Sequence, residues 1–200
     1  MTLFYLYYKL IFNGRKEMEM EDEEHRLARE WARSLLKRSD WVILDTETTG
    51  LGPRDEIIQI AIMTPDGRAL LDTLIRPSQP ISPAATAIHG ISDSDVLSAP
   101  TYKEIYSQIE KCLEGKTVVI YNADYDVRLL MQTHSRYNLR PILLNRQQIQ
   151  CAMLKYAAWR GELWTDGSYK WQKLPGGDHT ALGDCRATLQ VIKMMAGELN

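Results

Sequence analysis

The segment Trp41-Val42-Ile43-Leu44 breaks directly into Asp45-Thr46-Glu47-Thr48-Thr49-Gly50. Four unbroken apolar residues without a helical period read as a strand buried on both faces. Such a strand belongs inside a sheet covered by other layers. Two acids follow, two positions apart. Side chains at i and i+2 of an extended segment share a face, so Asp45 and Glu47 can enter one pocket. A second β-branched run, Thr117 to Tyr121, leads into Asn122-Ala123-Asp124-Tyr125-Asp126, and His179-Thr180-Ala181-Leu182-Gly183-Asp184 opens the last periodic stretch. Acids therefore stand at the ends of three separate predicted elements.

The rest of the pattern surrounds these with helices. Residues 17 to 39 read as a charged helix with Leu27, Trp31, Leu35 and Ala28 on its apolar stripe. The acids from Glu19 to Glu24 suit its first turn, where the helix dipole favours negative charge. Glu56 to Met63 and about Ala69 to Ile75 read as two strands joined by the turn Pro65-Asp66-Gly67, completing an antiparallel meander with the first. Pro77, Pro80 and Pro83 punctuate a loop. Helices are expected over Thr101–Leu113, Asp124–Arg136, Cys151–Trp159 and Thr180–Leu199, with a last strand around Leu143 and Ile149 and a loop from Gly161 to Gly177. A meander followed by alternating helices and strands predicts an α/β fold: a mixed sheet flanked by helices, compatible with a ribonuclease-H-like sheet. The expected organisation is an N-terminal helical extension over residues 1–38 and one domain over 39–200.

Composition narrows the function classes. At 200 residues, with 44% apolar and 25% charged residues, the chain supports one sizeable globular core. A net charge of −2 argues against a protein that coats nucleic acid through a broad basic field. It leaves room for an enzyme that grips a strand end with the help of bound cations. Cys112, Cys151 and Cys185 are widely spaced and form no C-x-x-C pair, which points away from zinc or a disulfide framework and toward a reducing, cytoplasmic setting. The apolar run Met1 to Phe12 contains Lys9, lacks a signal-peptide pattern and is too short to span a bilayer as a helix.

Each acidic group alone has a plain role: a solvated strand-end pair, a first-turn helix acid, a cap and a surface charge. Together they support a sharper chemistry. Four converging carboxylates repel one another unless cations lie among them. Hard oxygen donors select magnesium or manganese, and two such ions about 3.5–4 Å apart can activate a water and stabilise a leaving oxygen in phosphodiester cleavage. His179, with a near-neutral unperturbed pKa, is suited to take the proton of that water. Gly50-Leu51-Gly52 also invites a dinucleotide reading, but it lacks the third glycine and adjoins acids that would repel a pyrophosphate.

With these residues in place, the sequence resembles the DEDDh 3′→5′ exonucleases, the superfamily of the bacterial DNA polymerase III proofreading subunit and ribonuclease T. The resemblance covers about residues 40 to 196. It is carried by Asp45-Thr46-Glu47-Thr48-Thr49-Gly50-Leu51, by Asn122-Ala123-x-Tyr125-Asp126, by His179-x-x-x-x-Asp184, and by the landmark Ile88-His89-Gly90-Ile91-Ser92. It implies two divalent ions, Mg²⁺ or Mn²⁺, with Asp45, Glu47, Asp126 and Asp184 as metal ligands and His179 as general base. It also implies that Thr46, Leu51 and His89 lie beside the terminal nucleotide; for His89, a loop histidine bonded to backbone is an equal alternative. Spacing from Asn122 selects Asp126 over Asp124 as the ligand, leaving Asp124 to cap the helix.

Gln150 and Cys151 depart from the isoleucine-aspartate pair often found at that position in relatives, and Cys185 reads as a small buried packing residue. The loop bearing Trp164, Tyr169, Lys170, Trp171 and Lys173 could grip a strand by stacking and phosphate contact, although Trp171 reads more simply as pinning the loop to the core. The expected partner is a nucleic-acid 3′ end, DNA favoured over RNA and single-stranded, with release of nucleoside 5′-monophosphates and no membrane. The alternatives are an exoribonuclease and a noncatalytic module that binds a strand end or a protein.

Overall fold

The computed structural model describes residues 23–142 and 147–199. The apolar segment Met1 to Phe12, the start of the charged helix and Leu143 lie outside the described residues. Helix α1 occupies residues 23–36. Its buried stripe is Ala28, Ala32 and Leu35, with Trp31 partly buried, while Leu27 is largely exposed. Ala28 and Leu35 are thus buried as expected and Trp31 in part, whereas Leu27 is exposed and Ala32 joins the seam in its place.

The strands β1 (Trp41–Thr48), β2 (Ile57–Met63), β3 (Ala69–Leu74), β4 (Thr117–Ile120) and β5 (Ile149–Cys151) form one sheet in the order β3-β2-β1-β4-β5. β1, β2 and β3 are an antiparallel meander, as expected, and β4 and β5 run parallel to β1. The mixed sheet flanked by helices is of the ribonuclease-H type. Its helices are α2 (Pro83–His89), α3 (Asp93–Val96), α4 (Tyr102–Leu113), α5 (Ala123–Arg136), α6 (Ala152–Arg160) and α7 (Ala181–Ala196).

Alternation along β1 divides the core. Trp41 and Ile43 pack with α1, α6 and α7, whereas Val42 and Leu44 pack with α4 and α5. Slipping the register by one residue would exchange these faces, and each fully buried large apolar side chain contributes about 1.5–3 kcal/mol. The register is thus set by several such residues, and the direction of Asp45 and Glu47 is set with it. β1 and β4 are parallel neighbours; the chain continues from β1 to β2 on one flank and from β4 to β5 on the other, so the strand order diverges between them. The carboxyl ends of strands at such a point make the edge at which ligands bind in open α/β sheets.

Two short helices occupy what the proline pattern read as loop. Ser82 caps α2 by accepting a hydrogen bond from the Ala85 N–H at 3.2 Å, with Pro83 at its start. Proline there fixes φ and forfeits only a donor that a first turn leaves unpaired. Ser92 and Asp95 form a capping box that starts α3. At α5 the capping position belongs to Asn122, and Asp124 is an exposed first-turn acid rather than the expected N-cap. The Gly161–Gly177 region contains a small hairpin, closed by Trp164 N–H to Ser168 O at 2.8 Å and Lys170 N–H to Glu162 O at 2.7 Å. Trp171 is 73% exposed, so it does not pin this loop. That role falls to Tyr121, whose hydroxyl donates to the Gln172 carbonyl at 2.9 Å.

Candidate active site

β1 is longer than its apolar run: it continues to Thr48, so Asp45 and Glu47 lie within paired strand, opposite Ala61 and Gln59 of β2. The register shifts immediately after Glu47. Such bulges bend a strand and re-aim the neighbouring side chains. Asp45 and Glu47 continue the face of Trp41 and Ile43, toward α7. Cys185 of α7 lies beneath this face, buried, with its thiol 3.7 Å from the carbonyls of Ile43 and Ala61.

Asp126 and Asp184 enter from helix starts, each four residues after its cap, Asn122 and Thr180. A negative charge there is favoured by the helix dipole. Asp126 is buried and accepts a 2.7 Å hydrogen bond from the Thr46 hydroxyl, which faces away from Asp45 and Glu47 on β1. The neighbouring Thr48 and Tyr125 hydroxyls are 2.9 Å apart, repeating the β1–α5 link one step along. One oxygen of Asp184, Oδ1, accepts the N–H groups of Asp178 and His179 at 2.9 and 3.2 Å. Its other oxygen is not used by that loop.

These side chains line one cleft of about 630 Å³, together with Thr46, Leu51, His89, Ile88, Tyr121, Tyr125, Leu174 and His179. All eight site positions predicted from the sequence are in it. Glu47, His179 and Asp184 each bring a ligand atom within 4.8 Å of those of the other two. The electrostatics reflect crowding of like charge. Burial, followed by the charges of Asp126, Asp184 and Glu47, pushes the Asp45 carboxyl well above its ordinary range. Burial and then Asp184 raise Glu47 to about 8. Burial raises Asp126 to about 7 despite the opposing hydrogen bond from Thr46. A protein-only site can hold its charge down only by retaining protons. Buried, mutually repelling oxygen donors fit hard divalent cations, which would replace those protons.

The softer positions divide. Leu51 is 75% exposed on the cleft rim and, with Ile88, offers apolar surface. His89 is committed internally: Nδ1 accepts the Ile91 N–H at 3.0 Å, leaving Nε2 to donate to the Thr48 carbonyl at 3.2 Å. Burial, and secondarily His179, lower its pKa, in keeping with a neutral ring. The loop from Thr49 to Asp55 carries Leu51 and wraps around the Asp55 carboxylate. That carboxylate accepts the Thr49 hydroxyl and the Gly52 N–H, and Gln132 of α5 donates to Gly52 O at 3.1 Å. Asp55, Gln132, Tyr121 and Leu174 belong to no motif visible in the sequence, yet they build this loop and the cleft wall. The turn-forming spacing of Asp55 after two glycines was the available signal.

The exonuclease family of the RNase T type matches residues 42–192. Exonuclease CP81 of Escherichia phage 186, an uncharacterised protein, is 42% identical over 172 residues, covering 78% of this chain and 88% of that one. A DNA polymerase III subunit epsilon-like protein of Rhodobacter capsulatus is 41% identical over 106 residues, half of this chain, which spans 15% of that protein. RNA exonuclease 4 of Cryptococcus neoformans is 31% identical over 97 residues, 47% of this chain and 24% of that protein. Among solved structures, exonuclease X in complex with 5′ overhanging duplex DNA is 29% identical, with a TM-score of 0.50 over 78% of this chain and 93% of that one. The chain belongs to the DEDDh exonucleases. It is a 3′→5′ exonuclease acting on nucleic acid, in a family that uses divalent metal ions.

Proposed function

We propose that the chain removes nucleoside 5′-monophosphates from the 3′ end of DNA, single-stranded at the terminus, with Mg²⁺ or Mn²⁺. The observation that carries this reading is the convergence of Asp45, Glu47, Asp126, Asp184 and His179 on one cleft at the carboxyl ends of β1 and β4. Asp45, Glu47, Asp126 and Asp184 would hold two ions, and His179 is the base. Bound there, the ions supply Lewis-acid polarisation of the scissile phosphate and charge neutralisation at the leaving 3′-oxygen. The protein's own groups do the rest. Thr46 fixes one Asp126 oxygen, and the Asp178 and His179 peptides fix one Asp184 oxygen, so both carboxylates are held in place before substrate arrives. Exposed His179 takes a proton from the attacking water as a P–O bond forms to it. The bond to the 3′-oxygen of the penultimate nucleotide breaks, and the terminal nucleotide leaves as its 5′-monophosphate. Leu51 and Ile88 contact the terminal base or sugar through apolar surface, while His89 shapes the cleft floor with its ring and leaves hydrogen bonding to others.

The preference for DNA is supported by the similarity to the polymerase epsilon-like protein and to exonuclease X. The similarity to RNA exonuclease 4 supports an RNA substrate, and the carboxylate chemistry does not choose between the sugars. The test is a 5′-labelled single-stranded oligonucleotide, in matched DNA and RNA forms, incubated with Mn²⁺ or EDTA. A ladder of shortened DNA that disappears in EDTA is expected. RNA degraded much faster than DNA would reverse the substrate assignment. No ladder on either polymer would favour a strand-end-binding module.

A further inference from the structure

We infer that Asp178 is a positioning residue for this reaction: its carboxylate clamps the turn that presents His179 to the cleft, and Gly183 is glycine because that carboxylate lies against it. The inference rests on the reading of His179 as the base. His179 has φ +61°, one of two non-glycine residues with positive φ among the described residues. A non-glycine side chain in that region is strained and persists only where its surroundings over-determine it. Here they do. Asp178 Oδ1 accepts both the N–H and the hydroxyl of Thr180, at 3.0 and 2.8 Å, closing an Asx turn with His179 at its centre. From the other side, the Asp178 and His179 N–H groups converge on Asp184 Oδ1. The histidine backbone is thus held between two carboxylates, one in front of α7 and one on it.

Gly183 provides an independent observation. A Cβ built there would fall 2.0 Å from Asp178 Oδ1 and 2.5 and 2.6 Å from the other two carboxyl atoms. The carboxylate in this pose and any side chain at 183 exclude each other. Gly183 does not need a special backbone angle, being in the first turn of α7. The three atoms nearest to that Cβ position all belong to the Asp178 carboxyl. Asp178 itself is exposed, is not among the residues lining the cleft, and is not in the group of Glu47, His179 and Asp184 that could share an ion. It therefore acts through His179 rather than on substrate.

A double-mutant cycle tests this on the full chain: wild type, D178A, G183A and D178A/G183A, with D178N as the conservative variant. Initial rates on a 5′-labelled single-stranded oligonucleotide with Mn²⁺ give kcat and KM, and thermal midpoints report folding. D178A and G183A should each lower kcat by about 10²-fold, the scale of a misplaced catalytic group, with KM changed less than about threefold. D178N should retain most of kcat, because its amide oxygen can accept both Thr180 bonds. The double variant should be no slower than D178A, since the carboxyl that alanine at 183 would strike is then gone. Wild-type kcat in D178A would overturn the inference, as would an undiminished G183A penalty in the D178A background. A wild-type protein with no cleavage would sink the exonuclease reading instead, which keeps the two failures distinct.

Discussion

Replacing Asp126 by asparagine should make the metal-free protein more stable while abolishing cleavage. The Asp126 carboxyl is fully buried and ionises at about 7, against 3.8 for an unperturbed aspartate. Ionising a carboxyl raised from 3.8 to about 7 costs about 4 kcal/mol in the folded state. Coupling to Asp45 and Asp184 shares that penalty, so about 2 kcal/mol is a fair lower figure. The sign follows from proton linkage. Between about pH 4 and 7 the native state binds more protons than the unfolded chain, so stability falls as pH rises through that window. Glu47, raised to about 8, extends the fall toward pH 8. Asparagine keeps an oxygen for the Thr46 hydroxyl and never ionises. In EDTA at pH 8, the D126N midpoint should exceed wild type by roughly 4–16 °C for a chain of this size, and its midpoint should decline less with pH. Mn²⁺ should raise the wild-type midpoint far more than that of the variant. D124N, on the exposed side of the same helical turn, should leave appreciable activity. Thermal denaturation by circular dichroism from pH 5 to 8 decides the matter. D126N no more stable than wild type at pH 8 in EDTA would refute the reasoning.

Leu51→Ala removes an exposed apolar contact without touching the fold; it should lower kcat/KM on oligonucleotides by about tenfold, mainly through KM, and an unchanged KM would remove Leu51 from the substrate path. His134 is buried and held down at about 4 by desolvation, with its Nε2 and the Tyr102 hydroxyl 2.9 Å apart. The unfolded chain therefore takes up a proton first, and stability is lost as pH falls from about 6.5 toward 4. Urea midpoints should show this acid slope weakened in His134→Gln, and an unaltered slope would count against it. Arg136→Ala strips the ion pair from Glu56, which is 1% exposed, while leaving its bonds to Tyr137 and Ser78. Because Arg136 is itself one-third exposed, the loss should be about 1–3 kcal/mol by urea denaturation, and a change under about 0.5 kcal/mol would mean the remaining bonds suffice.

The elements most legible in the sequence were those whose burial is two-sided or strictly periodic. β1, β2 and β4 are short β-branched runs, and α4 carries Ile105, Ile109 and Leu113 at a spacing of four. All four were placed to within a few residues. α2 and α3 were not, because seven and four residues offer too little periodicity. Pro83 also signals a break and a first helical position equally well. Trp171 misled for a related reason. Hydrophobicity argues for burial, but a residue in a loop is buried only if the backbone turns it inward. The neighbouring hairpin and the Tyr121–Gln172 bond leave it outward.

At the site, what was legible was phase. Asp45 and Glu47 had to share a face of β1, and on a helix two residues apart point in nearly opposite directions. Only one member of the Asp124–Asp126 pair could therefore enter the cleft. Packing Ala123, Leu129 and Leu130 inward makes it Asp126. Phase, however, says nothing of backbone sign. The left-handed φ of His179, the close approach of Asp178 to Gly183 and the internal hydrogen bonds of His89 all depend on how two segments meet in space. A glycine just ahead of Asp184 looks like a mere spacer in the sequence. In the fold it sets how near the preceding loop can come to α7, and hence where the proposed base stands. Residue spacing thus identifies which groups can meet at this cleft, and the small residues between them set the distances at which they do.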